Sequence, residues 1–377
     1  MIKIVKVSNK KQLDEFIDFP NELYKNDEFY IKPLRRDYKK YLLGETTAVN
    51  EVGESQMFLA YKDDKVVGRV MAGTNEELND YKNIKDAYFS QYEAIDDPDV
   101  SKALYNAVFD WCREKGMTKL KGPMSLPGGD DNRGFLCDNF DDYPTIQNVY
   151  NKPYYTKQAE ENGLVKYHDC YAFGIEPSEE LLRRYEKVIP YAMEKYKFRL
   201  DKINLGKETI KPDAKDITEV IKKGMPETED WVDFMPPSDE EINDIVNACR
   251  PLADNDFIFI ARNEKNEPIA FNITMPDYNQ VIKKMNGKMN LRGIITFLNN
   301  KKKIDRLRVF VLFVIPEYRN KGVTQAMYYQ TMKSAVEKGY KSVEGSTIWD
   351  YNVPMLNDLL KTGGKITKTY RVYQYDL

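Results

Sequence analysis

Leu307 to Gln325 reads LRVFVLFVIPEYRNKGVTQ. Its apolar run, Val309 to Ile315, is mostly β-branched or aromatic and too short to span a bilayer, which predicts a strand buried on both faces. Pro316 ends that strand. A basic turn follows, Arg319-Asn320-Lys321-Gly322, and then a helix from about Val323, in which Tyr328, Met332, Ala335 and Val336 keep helical spacing as far as Gly339. The first backbone N–H groups of such a helix have no intrahelical partner and face the turn. Gly322, lacking a side chain, lets a phosphate come close to the main chain there.

The rest of the chain sets limits on what this turn serves. At 377 residues with 42% hydrophobic content, two domains and a real core are expected. Lys+Arg 57 against Asp+Glu 60 leaves a net charge of −3, which gives no basic footprint for nucleic acid. The opening MIKIVKVSNKK alternates like a first strand and lacks a signal-peptide or anchor core, so a cytoplasmic protein with no membrane partner is expected, as monomer or homodimer. Cys112, Cys137, Cys170 and Cys249 are scattered and His168 stands alone among histidines, which predicts no metal site and no Cys–His nucleophile pair.

Laid over itself, the chain shows one unit written twice. SKALYNAVFDWCREKGMTKLKGPMS, from Ser101, aligns without a gap to TQAMYYQTMKSAVEKGYKSVEGSTI, from Thr324. Upstream, FLAYKDDKVVGRVMA from Phe58 matches FIARNEKNEPIAFNI from Phe259, both reading as hairpins. Downstream, Gly163 and Gly363 each stop a helix before a β-rich tail. Each half also carries an insertion: residues 127–148 in the first, expected as a long loop without helix or strand, and a stretch within Pro276 to Arg308 in the second, with the basic run Lys301 to Lys303. The unit predicts an α/β (α+β) fold of two domains, each a mixed, mostly antiparallel sheet flanked by helices. The divisions fall at 1–175, a connecting helix over 176–195, and 196–377.

The string V-I-P-E-Y-R-N-K-G-V-T resembles the acyl-coenzyme A signature of the GNAT acyltransferase superfamily, V-x-P-x-x-R-x-x-G-x-G/A. Val314, Pro316, Arg319 and Gly322 match it, and Thr324 stands where Gly or Ala is usual. With FPNELYKNDEFYIKPLRRDY, YYTKQAEENG and KTYRVYQYDL, the whole chain is similar to a tandem GNAT family of bacterial proteins. The resemblance implies a splayed strand whose Phe313 and Val314 offer main-chain groups to a pantetheine arm. It also implies a cofactor-binding turn of Arg319, Asn320, Lys321, Gly322, Val323 and Thr324 around the pyrophosphate.

Superposed on that turn, the first half has Asp96-Asp97-Pro98-Asp99, three carboxylates and a residue without an N–H. Like charge would repel a phosphate, and these residues are suited to cap their own helix. The family commonly carries Tyr seven positions after an Asn that follows the next strand. Asn352 is present here, but Leu359 occupies the seventh position. Glu344, Asp350 and Tyr351, on or just after the strand beside the proposed thioester, become the candidate acid or base groups. Trp231, Phe234 and Asn352 are candidate acceptor contacts, with Glu227, Glu229, Asp230 and Asp233 favouring a cationic acceptor. The function these features imply is transfer of an acyl group from acetyl-coenzyme A, or another acyl-coenzyme A, to the amine of a small molecule or aminoacyl group. A non-catalytic coenzyme A or metabolite binder is an alternative, as is a Fem-like aminoacyl-tRNA-dependent transferase.

Overall fold

Strand and helix alternate along the chain as the repeat requires. The computed structural model describes residues 1–46, 51–125, 132–206, 210–224, 238, 241–242, 246 and 249–377. Its first half runs β1 (Lys3–Lys6), α1 (Lys10–Leu23), α2 (Arg35–Leu42), β2 (Ser55–Lys62), β3 (Lys65–Thr74), α3 (Glu76–Lys82), β4 (Asp86–Ala94), α4 (Pro98–Glu114), β5 (Lys119–Gly122), β6 (Phe135–Leu136), α5 (Tyr155–Glu161) and β7 (Val165–Ile175). After α6 (Glu179–Tyr185) and α7 (Val188–Tyr196), the second half runs β8 (Phe198–Lys202), α8 (Ile210–Gly224), β9 (Ile258–Asn263), β10 (Pro268–Pro276), α9 (Asn279–Met285) and α10 (Leu291–Asn300). It ends with β11 (Arg306–Val314), α11 (Val323–Lys338), β12 (Ser342–Trp349), α12 (Val353–Lys361) and β13 (Lys365–Asp376).

The local devices are those the sequence advertises. Asp63 and Asp64, both at positive φ, turn β2 into β3, as two-residue hairpins require. Gly339, at φ 75°, closes α11. The connecting segment is two helices rather than one, interrupted between Tyr185 and Val188.

One continuous sheet joins the halves, in the order β1-β2-β3-β4-β5-β13-β7-β12-β11-β10-β9-β8, with β6 also on β13. β1 to β5 mirror β8 to β12, and among the described residues each half has one parallel pair, β4 with β5 and β11 with β12. The last strands change places. β13, the end of the chain, pairs with β5 of the first half, while β7 pairs with β12 of the second. Neither half therefore completes its sheet without the other, and backbone ladders cross between them.

Two departures from expectation matter for the site. Residues 127–148 contain a strand after all: Phe135 and Leu136 are buried and pair with Arg371 and Tyr370 of β13, because two adjacent apolar residues gain more from the sheet than from solvent. And β11 is not buried on both faces along its length. Leu307 and Arg308 are buried, yet Val309 to Phe313 are only half-buried, because β12 leaves them.

Candidate active site

β11 and β12 are registered only from Arg306 opposite Ser342 to Val309 opposite Gly345. Beyond Val309, β11 stays with β10, Phe313 opposite Phe271, whereas β12 follows β7, Ile348 opposite Tyr171 and Trp349 opposite Cys170. The parallel pair opens as a V. Among the described residues no strand pairs with this edge of β11 beyond Val309, which leaves room for a ligand to lie along Phe310 to Leu312.

A cavity of about 540 Å³ occupies this V. Its walls are mainly aliphatic and aromatic: Phe173 and Ile175 from β7, Leu181 from α6, Ile221 from α8, Phe310 from β11 and Met332 from α11. Polar groups enter at few points, among them Arg133 and Gln147 from the inserted loop, Arg308 from β11, and Tyr351 and Asn352 after β12. Arg308 donates to the Ser346 carbonyl at 2.9 Å and to that of Ile146, and its guanidinium lies 4.6 Å from the Phe310 ring centre. Arg133 lies 5.1 Å from the Trp349 ring centre and donates to Thr347 O at 3.3 Å.

The basic turn follows the open, C-terminal end of β11. Asn320 (φ 60°) and Gly322 (φ 80°) are both left-handed, and Gly322 is the N-cap of α11 with no side-chain cap. A β-carbon at Gly322 would meet the Ala192 side chain at 3.0 Å. The open N–H groups fit a diphosphate. Lys321 lies 4.9 Å from the Tyr318 ring centre, within the turn. Arg319 is used differently: it donates to the carbonyls of Val314 at 3.2 Å and Gly224 at 2.5 Å, fastening the strand end to the end of α8. Its guanidinium shapes the turn.

The first half differs at both places. Asp97 caps α4 by accepting from Asp99 N–H at 3.0 Å and pairs with Lys62 at 2.8 Å. Next to the β4–β5 pair, Phe89, Tyr92, Tyr105, Phe135 and Tyr155 pack in one cluster, Tyr92 stacked on Tyr105 with centroids 4.9 Å apart. Tyr105 is the repeat counterpart of Tyr328, which in the second half lines the cavity. Side chains fill in one half the kind of space left open in the other.

Glu344 is not placed as a base. It is 2% exposed, pairs with Arg306 at 2.6 Å and accepts from Thr145 Oγ1 (2.5 Å), Asn148 Nδ2 (3.0 Å) and Ser346 Oγ (2.8 Å). Burial alone would raise its carboxyl; Arg306 and Lys368, with the hydroxyls, outweigh that and hold it below the usual range. A carboxylate so firmly ionised and so fully bonded is a structural clasp. Asp142 of the same loop extends it to Arg306 at 3.2 Å and to buried Lys368.

Asp350 and Tyr351 are placed otherwise. Asp350 Oδ1 lies 2.7 Å from His168 Nδ1, and its Oδ2 accepts the Asp169 N–H at 3.0 Å. A carboxylate only accepts, so Nδ1 carries a proton and Nε2 is the ring nitrogen left to face another partner. The imidazole meets Tyr351 and Trp349 edge-on, centroids 5.0 and 6.1 Å away, and both aromatics line the cavity. Sequence reading had set His168 aside. Its partner is 182 positions away, so no spacing could signal the pair.

Asn352 caps α12 through Met355 N–H at 3.4 Å and faces the cavity, as does Leu359. The phenol missing at Leu359 has a neighbour in Tyr328, whose hydroxyl contacts Met355 Sδ at 3.0 Å and whose burial raises its pKa, keeping it protonated. Trp231, Phe234, Glu227, Glu229, Asp230 and Asp233 lie outside the described residues. Ser238 and Glu241 form a reciprocal cap, Glu241 N–H donating to Ser238 Oγ at 3.2 Å and Ser238 N–H to Glu241 Oε2 at 2.7 Å.

Comparison with known proteins agrees with this architecture. The chain has a tandem GNAT fold: it superposes over its full length on a tandem GNAT protein from the clavulanic acid biosynthesis pathway (TM-score 0.57, 11% identity, 98% of that chain). It does so also on a GCN5-related glucosamine N-acetyltransferase region of a fungal multi-domain β-N-acetylglucosaminidase (TM-score 0.59, 13% identity, 38% of that chain). In sequence it is similar to Protein YghO of Escherichia coli, 25% identical over 97% of this chain and 93% of the relative. It is similar too to the bacterial ceramide synthase of Caulobacter vibrioides, 23% identical over 99% of this chain and 97% of the relative. No family model matches the chain.

Proposed function

We propose that the protein is an N-acyltransferase that takes an acyl group from a coenzyme A thioester lying in the β11–β12 opening and passes it to an amine, with a long aliphatic chain on the acyl group, the amine or both. One observation carries the reading: an apolar cavity of about 540 Å³ fills the opening where β12 leaves β11, and β11 leads from it to a glycine N-cap with no side-chain cap, suited to a diphosphate. An acetyl group would fill little of that space. A lining so poor in polar groups favours hydrocarbon, since a polar ligand would lose its water without compensation. The similarity to a protein named bacterial ceramide synthase supports the same direction.

In the proposed reaction the amine nitrogen attacks the thioester carbonyl carbon, the C–S bond breaks, and the thiolate leaves with a proton. His168, oriented by Asp350 and standing behind the lining residues Trp349 and Tyr351, takes the proton released by the attacking amine through an intervening water. The Tyr328 hydroxyl, kept protonated by burial, hydrogen-bonds to the departing sulfur without giving up its proton, and the thiolate is protonated from His168 or solvent as it leaves. Main-chain N–H groups of Phe310 to Leu312, on the stretch of β11 that β12 leaves, are suited to the charge developing on the carbonyl oxygen.

The test is thiol release from acyl-coenzyme A donors of increasing chain length, each against amines with and without an alkyl chain, with products read by mass spectrometry. An amide product that forms faster with longer chains supports the reading. Binding of coenzyme A thioesters with no chain-length preference and no amide product rejects it.

A further inference from the structure

We infer that α9 and α10 form a docking element for an anionic lipid surface. Leu291, Ile294, Ile295 and Leu298 are 74%, 45%, 50% and 55% exposed and recur at helical spacing along one side of α10. A surface helix of a soluble protein ordinarily turns such a stripe inward. Here the inward side is a different one: Gly293 is buried with its α-carbon against the Lys288 carbonyl, and Phe297 stacks on Tyr278, 5.7 Å between centroids. α10 is thus already packed, and its second apolar side faces out.

What would cover that side follows from the charge around it. Between Tyr278 and Ile304 the chain has seven Lys or Arg and no Asp or Glu, within a protein whose net charge is −3. Lys288, Arg292 and Lys301 to Lys303 are exposed. None of these five has a carboxylate partner among the described residues. Exposed cations on and at both ends of a helix with an exposed apolar stripe are the pattern of a helix lying in a membrane interface, side chains in the acyl boundary and ammonium groups at lipid phosphates. A self-associating face would gather like charge on like charge, which opposes a second copy.

Absence of a membrane partner had been expected from the lack of a spanning segment, and no described helix is long and apolar enough to cross a bilayer. Lying on the surface requires only one helix face. The element is also the second half's own insertion, on a hairpin fastened to the first half: Arg35 N–H donates to Gly287 O at 3.1 Å, and Lys283 contacts Tyr143 Oη at 2.5 Å. It is therefore held rigidly enough to orient the molecule on a surface.

The test is co-sedimentation of the full chain with vesicles of phosphatidylcholine alone or with one-third phosphatidylglycerol. Binding is expected only to the anionic vesicles and is expected to fall as salt rises. Ile294→Ser with Leu298→Ser, and separately Lys301→Glu with Lys302→Glu and Lys303→Glu, should each lower vesicle binding by at least about tenfold. Circular dichroism should remain unchanged, since all five positions are exposed. Equal retention on both vesicle types overturns the inference, as does no retention of folded wild type. A concentration-dependent dimer in sedimentation velocity that is abolished by the Ile294→Ser, Leu298→Ser pair also overturns it, by assigning the face to a second copy.

Discussion

Thr145 Oγ1 donates a 2.5 Å hydrogen bond to Glu344 Oε1 across 199 positions of sequence. The donor belongs to the loop inserted in the first half, the acceptor to the strand that forms one arm of the opening in the second. The loop is thereby drawn against the mouth of the cavity, which explains why Arg133 and Gln147 line a space built largely by the other half. Together with the exchanged strands β7 and β13, this clasp makes the opening a property of the whole chain.

Glu344→Gln should therefore act on stability. It leaves Arg306, whose side chain is 15% exposed, with Asp142 as its remaining carboxylate among the described residues, and breaking a buried pair from one side costs about 3 kcal/mol. Thr145→Val, which removes the hydrogen bond donated to the Glu344 carboxylate and the one accepted from Asn148 Nδ2, should cost about 2–3 kcal/mol. Urea denaturation measures both. A Glu344→Gln protein of unchanged stability but lost turnover would restore Glu344 to the chemistry.

Asp277 gives a pH dependence of definite sign. Burial pushes its carboxyl up from 3.8 to about 6, with Arg306 opposing, while Oδ1 accepts from the N–H of Ile146 at 2.9 Å and of Asn279 at 3.2 Å. A folded pKa above the unfolded one favours folding fully below the unfolded value and ceases to do so as pH passes the folded value. The window is thus about 3.8 to 6. Asp277→Asn keeps the accepting oxygen and removes the charge. It should raise stability by about 1–2 kcal/mol at pH 7.5 and by little at pH 4, read as the difference between denaturation curves of the two proteins.

The basic turn is tested most cleanly away from Arg319, since that side chain holds the backbone. Lys321→Glu should weaken coenzyme A binding at least about tenfold in calorimetry with the fold intact. Gly322→Ala should do as much, because the left-handed conformation costs an L-residue about 1–2 kcal/mol and the new methyl presses on Ala192. Asp97→Ala, at the matching turn of the first half, should cost about 1 kcal/mol of stability through the lost cap and leave coenzyme A binding as it was. Loss of binding in that variant would relocate the site.

Legibility in the sequence followed the range of the forces involved. The strand, basic turn and helix from Arg306 to Gly339 were readable because hydrophobic period, Pro316 and the two glycines act within a few residues. The duplication was readable because residue patterns survive in Ala103 over Ala326 and Gly122 over Gly345. Strand exchange was not, since β13 chooses between β12 and β5 by packing with no local mark in KITKTYRVYQYD. For the same reason Glu344 looked like a free carboxylate, its partners Thr145 and Asn148 lying in a loop whose destination is set by tertiary contact. Tyr328 was seen as a buried helical residue. That description is right for its counterpart Tyr105 and incomplete for Tyr328, because the difference between them is the space left by the opening strands.

His168 carries the most direct test of the proposed chemistry. If Nε2 takes the amine proton, His168→Asn should lower kcat by about 10²- to 10⁴-fold with little change in KM, because the imidazole acts on the reacting proton rather than on ground-state binding. Asp350→Asn should follow it in direction by a smaller factor: the amide still reaches Nδ1 but no longer accepts without ambiguity, so the ring loses its fixed tautomer. Tyr328→Phe, which keeps the cavity wall and removes only the hydroxyl, should lower kcat by about tenfold or more. A merely structural histidine would give a different result, a loss of stability with kcat of the folded fraction retained. The distinguishing reading is the acidic limb of the kcat–pH profile, present in the wild type and abolished in His168→Asn. An unchanged limb in that variant assigns the proton to another group.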